Sequence, residues 1–220
     1  MTGSNLEEDA TVDGRVSRWK NHRPALLHAA TEYALATGVA DLTLRPLAAA
    51  VGTSITSLVR QFGSKDELIH EICRDLQGRM VVALQARRRA TSDDPSEVLR
   101  ALWRMWLTPE YMRQFAFLFE LYGLALRYPD RYEWFANSVV EEWMTPFQET
   151  LIARGHSVDH ARDLTTLVLA TVRGLHLDVA ATRDVARVDA AFELALQSLA
   201  PAFAVPPWGR TPSAPRPTPK

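Results

Sequence analysis

The chain is poor in the residues that build disulfide frameworks or membrane spans. It has one cysteine in 220 residues, Cys73, which excludes an intramolecular disulfide and a cysteine-rich zinc site. No apolar run approaches the roughly 18 residues that a membrane span needs, and the best candidate, from Phe115 to Leu126, is interrupted by Glu120. The N-terminus lacks the basic and apolar segments of a secretory signal. These absences predict a cytoplasmic protein with no membrane role.

Neither sign of charge dominates, but the charges are unevenly distributed. The net charge is −1, from 25 basic and 26 acidic residues. Residues 1–13 hold four acids and no base, whereas residues 15–65 hold seven bases and two acids, a net charge of +5. With 47% hydrophobic residues the chain has enough apolar surface for a packed core. A small positive module therefore precedes a larger, nearly neutral one.

The hydrophobic pattern predicts an all-α protein of about nine helices. Apolar residues recur at steps of three and four, without sustained alternation. Ser64 and Glu67 have the spacing of a helix-capping box. Seven of the 13 prolines lie between Pro201 and Lys220, which predicts an unfolded tail over 205–220. The predicted helices cover about 22–37, 43–52, 53–61, 64–89, 96–107, 110–127, 130–154, 159–181 and 187–203.

The segment 43–62 has the pattern of a helix-turn-helix unit, two short helices joined at Gly52. The apolar face that we expect to be buried consists of Leu42, Leu44, Leu47, Ala48, Val51, Leu58, Val59 and Phe62. Between Leu42 and Lys65 there are three bases and no acid, which suits a polyanionic partner. By itself this pattern is compatible with DNA binding and equally with a corner of any helical protein.

Two sequence segments favour DNA binding over a corner of an unrelated helical protein. The segment Thr43–Gly52 resembles part of the N-terminal domain of TetR-family transcriptional repressors. So does the run that follows the second short helix, Phe62-Gly63-Ser64-Lys65-Asp66-Glu67-Leu68. The resemblance covers about residues 22–70; the remainder is similar only in length and helix count. It implies an N-terminal arm (1–20), a helix-turn-helix domain (21–66) and a ligand-binding and dimerisation domain (67–204), with the last two helices forming the homodimer interface.

The same resemblance implies a set of DNA contacts. The recognition helix would span Ser54 to Gln61, and Thr43 and Lys65 would contact phosphates. Lys65 also begins a helix, whose free amides and dipole favour an anion. Family members commonly have Tyr and His where this chain has Val59 and Gln61, so we assign Val59 to the core. Arg60 either replaces the missing phosphate contact or is a solvated surface arginine. The predicted DNA-binding residues are Thr43, Arg45, Thr53, Ser54, Ile55, Thr56, Ser57, Arg60, Gln61 and Lys65.

The later part of the chain contains the candidate ligand residues. Its helices are rich in aromatics, and charged or polar side chains interrupt apolar stretches at Glu120, Arg173 and His176. A buried charge needs a partner, so each is paired, near water or available to a ligand. For Glu120 the alternative is a pair with a neighbouring arginine, and for His176 it is a satisfied histidine in an interface or in the core. The predicted ligand residues are Trp103, Trp106, Phe119, Glu120, Tyr122, Trp143, Arg173 and His176, for an apolar or aromatic small-molecule effector.

No catalytic pattern competes with these assignments. His156 and His160 lie on either side of a helix start, Cys73 has no evident activating partner, and no glycine-rich phosphate loop is present. We therefore expect no cofactor, no metal site and no enzymatic activity. The leading hypothesis is a homodimeric repressor that binds a palindromic double-stranded DNA operator and is released by a small molecule. The alternative is a helical enzyme or lipid-binding module with a helix-turn-helix-like corner and no role on DNA.

Overall fold

The computed structural model describes residues 23–90, 94–135 and 142–204, without the side chains of 88–90 and 142–143. All regular elements in this part are helical, as predicted. They are α1 (23–37), α2 (Leu44–Ala50), α3 (Ile55–Phe62), α4 (Lys65–Ala90), α5 (Pro95–Trp106), α6 (Pro109–Arg127), a 3₁₀ helix (Pro129–Tyr132), α7 (Glu133–Phe135), α8 (Glu142–Ala153), α9 (Val158–Thr182) and α10 (Val185–Phe203). The predicted arm over 1–20 and tail over 205–220 lie outside the described residues.

Local sequence signals set the ends of the short helices. Ser54 caps α3, its side chain accepting the N–H of Ser57. The predicted capping box at the start of α4 is confirmed: Ser64 N–H donates to Glu67 Oε2 at 2.6 Å, and Glu67 N–H donates to Ser64 Oγ at 3.2 Å. Gly63 joins α3 to α4 with φ +77°, and a Cβ there would collide with the Glu67 carboxylate. Only glycine fits this junction without strain.

One predicted helix differs from the structure. We expected a single helix over 130–154, but its first residues form the 3₁₀ helix and the three-residue α7, while α8 begins at Glu142. Arg131 in the 3₁₀ helix makes a two-bond salt bridge to Asp66, with N–O distances of 2.7 and 2.8 Å. This ion pair holds the pKa of the Asp66 carboxyl below its usual value. The 3₁₀ helix is therefore accompanied by an ion pair to Asp66, a residue 65 positions earlier in the chain.

The chain divides into two compact units. Among the described residues, the first contains 23–79 and 113–135, and the second contains 80–90, 94–112 and 142–204. Leu47, Leu58, Ile72 and Leu121 are among the buried residues of the first unit. The functional division predicted from the sequence, with a boundary at 66/67, stays a prediction.

The second unit has its own core. Leu102, Trp103, Val188 and Leu196 are among its buried residues, each at most 2% exposed. Helix α9 packs against α8 and α10 in this unit. By length and composition α9 is also able to cross a membrane, but eight of its residues, including Leu164 and Val172, are buried within the protein. Part of its apolar surface, including Leu167 and Leu177, is nevertheless exposed.

Candidate nucleic-acid interface and ligand cavity

Helix α3 is fixed to the rest of the first unit by its inner face. Leu58 and Phe62 are buried, 1% and 5% exposed. The Arg23 guanidinium lies 5.2 Å from the centre of the Phe62 ring and forms a 3.1 Å ion pair with Glu71. Contacts from α1 and α4 therefore hold the orientation of α3, and the opposite side of the helix faces solvent.

The outer face of α3 is a continuous exposed strip made of Ile55, Thr56, Val59 and Arg60. Ile55 is 39% exposed and Val59 46%. The assignment of Val59 to the core is therefore wrong: the helical period places Thr56 and Arg60 opposite the buried Leu58 and Phe62, and Val59 lies on the flank between them, where nearly half of it is exposed. We call these four residues the outer strip. It combines two aliphatic groups, a hydroxyl and a guanidinium.

The other predicted DNA-binding residues lie on α3 itself, on α2 and in the segments that precede and follow α3. The Ser54 and Ser57 hydroxyls lie 3.1 Å apart, so they are hydrogen-bonded to each other. Thr53 and Gln61 are half-buried. Thr43 occupies the N-cap position of α2, but its side chain makes no capping hydrogen bond. Arg45 is exposed in the first turn of the same helix.

Lys65 has an intramolecular partner. Its Nζ donates to the carbonyl oxygen of Val39 at 3.1 Å. The N-terminus of α4 is also less open than the sequence argument assumed, because Ser64 and Glu67 form the capping box there. Two hydrogens of the ammonium group can still be donated elsewhere. A phosphate contact for Lys65 therefore stays a prediction, resting on its ammonium and no longer on the helix start.

The Glu120 carboxylate contacts the turn that follows α1. Its Oε2 accepts the backbone N–H groups of Val39 at 2.7 Å and Ala40 at 3.1 Å. Gly38 has φ +83°, and a Cβ there would lie 2.6 Å from Glu120 Oε1. The partner that the sequence argument required is therefore the backbone of residues about 80 positions away, and neither an arginine nor a ligand is needed.

Three of the predicted ligand residues meet in the core of the second unit. Trp103 is stacked on Phe192, with ring centres 4.5 Å apart, and its indole N–H donates to Asp189 at 2.8 Å. His176 contacts the edge of Trp103, and its Nδ1 lies 2.8 Å from the Val172 carbonyl oxygen. Trp106 contacts His176 as well. Burial lowers the pKa of His176 to about 4. This is a packed aromatic cluster.

The remaining predicted ligand residues do not join this cluster. Phe119 and Tyr122 belong to the first unit with Glu120, where Tyr122 packs edge-on against Phe135 at 4.8 Å. Arg173 is half-buried on α9. The Trp143 side chain lies outside the described residues. The described members of the set are thus distributed over both units, and a common ligand site for them stays a prediction.

The second unit contains a cavity of about 280 Å³ whose wall includes none of the eight predicted ligand residues. The predicted ligand residues are aromatic or charged, whereas this wall is mainly aliphatic, so the prediction did not include it. A hydroxyl within the apolar stretch of α9, at Thr165, was the available signal. The lining residues are Leu84, Pro95, Val98, Leu99, Pro146, Phe147, Thr150, Leu151, Ala153, Arg154, Thr165, Val168 and Phe203.

The residues considered for catalysis, Cys73, His156 and His160, are held in packing and hydrogen-bond contacts within the protein. Cys73 is buried, and burial raises the pKa of its thiol to about 12, which disfavours the nucleophilic thiolate. The His156 and His160 rings stack 5.1 Å apart, and their Nε2 atoms lie 3.2 and 3.3 Å from the carbonyl oxygens of Phe203 and Ala202 at the end of α10. Within the described residues, no group of three or more His, Cys, Asp or Glu side chains is arranged to hold a metal ion.

Comparison with known proteins finds a family match for one segment of the first unit. Residues 26–72 match the family of bacterial regulatory proteins described as the tetR family. No curated protein matches the chain. Among solved structures, a transcriptional regulator from Rhodococcus sp. Rha1 is 23% identical with a TM-score of 0.66, covering 84% of this chain and 99% of its own. The multidrug-binding protein EbrR, solved with imidazole, is 23% identical with a TM-score of 0.62, covering 85% and 92%. These two structures share the fold, and the segment that matches the tetR family contains α2, α3 and the start of α4.

Proposed function

We propose that the protein is a cytoplasmic, homodimeric transcriptional repressor that binds a palindromic operator and is released by a small-molecule effector. The observation that carries this proposal is the outer strip of α3, exposed on a helix whose inner face is anchored by Leu58 and Phe62. The surrounding segment, from Leu42 to Lys65, contains no acid. An exposed short helix without negative charge fits the major groove of B-DNA.

The chemistry of the outer strip indicates how bases would be read. The Thr56 hydroxyl can donate to or accept from base edges. Ile55 and Val59 cannot form hydrogen bonds, but their exposed aliphatic groups fit the 5-methyl group that only thymine presents in the major groove. Arg45, Arg60 and Lys65 would contribute phosphate contacts, which add affinity without sequence preference. The operator is therefore expected to contain thymine opposite the aliphatic pair.

The dimer is supported by apolar surface on the last two helices. Leu167 and Leu177 on α9 are 51% and 53% exposed, and Leu194 on α10 is 66% exposed. A Cβ added to Gly174, on the same side of α9 as these leucines, would meet no atom within 4 Å. A second copy could pack closely there and bury this surface in a four-helix interface. Two recognition helices would then read the two halves of a palindrome.

Sedimentation velocity tests this assembly. Leu177→Arg would place a charge in the interface and is expected to produce monomers, whereas Leu126→Arg, at an 85% exposed residue of the first unit, is expected to leave the wild-type dimer intact. A monomeric wild-type protein at micromolar concentration would contradict the dimer.

A gel-shift titration tests the DNA function. The probe is the promoter region next to the protein's own gene, and binding is expected to weaken steeply as salt rises because neutralised phosphates release counterions. Thr56→Ala is expected to alter sequence preference, while Lys65→Ala should weaken binding to all sequences alike. Arg104→Ala, at an exposed residue of α5, is the matched control and should leave binding unchanged.

Two outcomes would count against the DNA function. Absence of a shifted band at low salt would favour the alternative of a helical enzyme or lipid-binding module. The same alternative would be favoured if the double change Arg60→Glu and Lys65→Glu left the protein's cellular function intact in a folded protein. Ligand release has its own requirement: a thousandfold loss of operator affinity needs about 4 kcal/mol of coupling between the two sites.

A further inference from the structure

The cavity in the second unit has a volume suited to a small ligand. Its 280 Å³ lies at the lower end of the range for small-molecule sites, roughly 300–1,000 Å³, so a large multi-ring compound would not fit without rearrangement. Leu99 of α5, Phe147 of α8 and Val168 of α9 give the wall its apolar character. Such a wall favours a ligand with an apolar body.

Two threonines in the wall differ in their hydrogen bonding. Thr150 Oγ1 already donates to the Pro146 carbonyl oxygen at 2.7 Å. Thr165 is 2% exposed, and its Oγ1 has no hydrogen-bond partner among the residues that the structure describes. A buried hydroxyl without a partner is unfavourable, and a ligand oxygen that accepts a hydrogen bond from it would remove this cost. Thr165 is therefore the wall residue that points to a ligand with an acceptor group.

The charge of the wall indicates the sign of that group. Among the described residues that line the cavity, Arg154 carries a positive charge and no Asp or Glu is present. A carboxylate is favoured by such surroundings, whereas an ammonium group is disfavoured. A carboxylate also accepts hydrogen bonds only, which matches the proton available on Thr165.

We propose that this cavity binds an apolar monocarboxylate, with the carboxylate accepting a hydrogen bond from the Thr165 hydroxyl and the apolar part in contact with Leu99, Phe147 and Val168. This inference rests on the proposed function, since it names the chemical class of the effector. Every group it uses belongs to the second unit.

Isothermal titration of the full-length protein with three probes of equal chain length tests the inference. The probes are decanoate, decanol and decylamine, each below its micellar concentration. Decanoate is expected to bind most tightly and decylamine at least tenfold more weakly. Thr165→Val should weaken decanoate binding by about tenfold, the usual effect of losing a hydrogen bond to a charged group. The matched control Thr150→Val should change it by less than threefold.

Further variants keep the result interpretable. Thr165→Ser retains the hydroxyl and should restore most of the affinity, while Leu99→Trp should fill the cavity and abolish binding of all three probes. Equal losses in the two valine variants, equal binding of decylamine and decanoate, or no binding of decanoate to the folded protein would each overturn the inference. Gel shifts in the absence of probe separate the two proposals. A shifted operator without decanoate binding refutes only the cavity assignment, and decanoate binding without any DNA shift refutes only the DNA function.

Discussion

Replacing Glu120 by alanine distinguishes a structural role from the ligand role predicted for this residue. The substitution removes the acceptor of the Val39 and Ala40 N–H groups. The Val39 residue is 1% exposed, whereas Ala40 is exposed. Water can therefore replace the carboxylate at Ala40, but the Val39 amide would be left without a partner.

The expected loss follows from this difference. One hydrogen bond to a charged acceptor contributes about 1.5–3 kcal/mol, and part of this would be recovered by rearrangement of the exposed turn, so we expect about 1–2 kcal/mol of lost stability. For a chain of this size each kcal/mol lowers the melting temperature by about 2–4 °C, so Tm should fall by about 2–8 °C. Glu120→Gln keeps an acceptor oxygen and should lose less.

Thermal unfolding followed by circular dichroism at neutral pH measures this effect. Glu149→Ala, at an exposed residue of α8, is the control and should melt close to the wild-type temperature. Melting of Glu120→Ala at the wild-type temperature, combined with loss of effector binding, would refute the structural account and restore the ligand role.

Four further predictions concern other parts of the molecule. Because burial raises the pKa of Cys73 to about 12, iodoacetamide should label it only when the protein unfolds, which mass spectrometry would detect; rapid labelling of folded protein would contradict this. Burial lowers the pKa of His176 to about 4, below its value of about 6.5 in the unfolded chain. As pH falls from about 6.5 to 4, only the unfolded chain gains this proton, so the free energy of unfolding should decline by up to about 3 kcal/mol. Denaturant titrations should show a smaller decline in His176→Gln. Replacing the thymine opposite Val59 by deoxyuridine should cost about 0.8 kcal/mol of operator affinity in wild type and little in Val59→Ala; equal losses in both would exclude the methyl contact. Glu120→Ala and Lys65→Ala should have non-additive effects on operator affinity, because both side chains bind the backbone at Val39.

The local features of the first unit follow from short-range rules. The capping box at Ser64 and Glu67 and the turn at Gly63 depend on residues within four positions of each other, so the sequence suffices to predict them. The exposure of Val59 does not follow from such short-range rules. Leu58, Val59 and Phe62 are all apolar, and α3 is too short for periodicity to decide which of two adjacent residues faces the core. The inward direction is fixed by packing, including the contact of Arg23 with Phe62.

The ligand residues required information that the sequence does not contain. An acid or histidine within an apolar stretch needs a partner, but the sequence does not identify it. For Glu120 the partner is a backbone turn about 80 residues earlier, and for Trp103 it is Asp189, 86 residues later. The cavity is likewise formed by side chains from five helices, α4, α5, α8, α9 and α10. Such a space exists only once these helices are packed.

The turn after α1 connects these observations to the proposed DNA surface. Val39 donates its N–H to Glu120 of α6 and accepts a hydrogen bond through its carbonyl from Lys65 at the start of α4. Gly38 must be glycine, since its φ is +83° and a Cβ would collide with the Glu120 carboxylate. The ammonium group predicted to contact phosphate is therefore positioned by a peptide segment that α6 also holds. It follows that the geometry of the proposed DNA-binding surface depends on a residue outside the segment that matches the tetR family, and we expect a variant at Glu120 to alter operator affinity without contacting either DNA or effector.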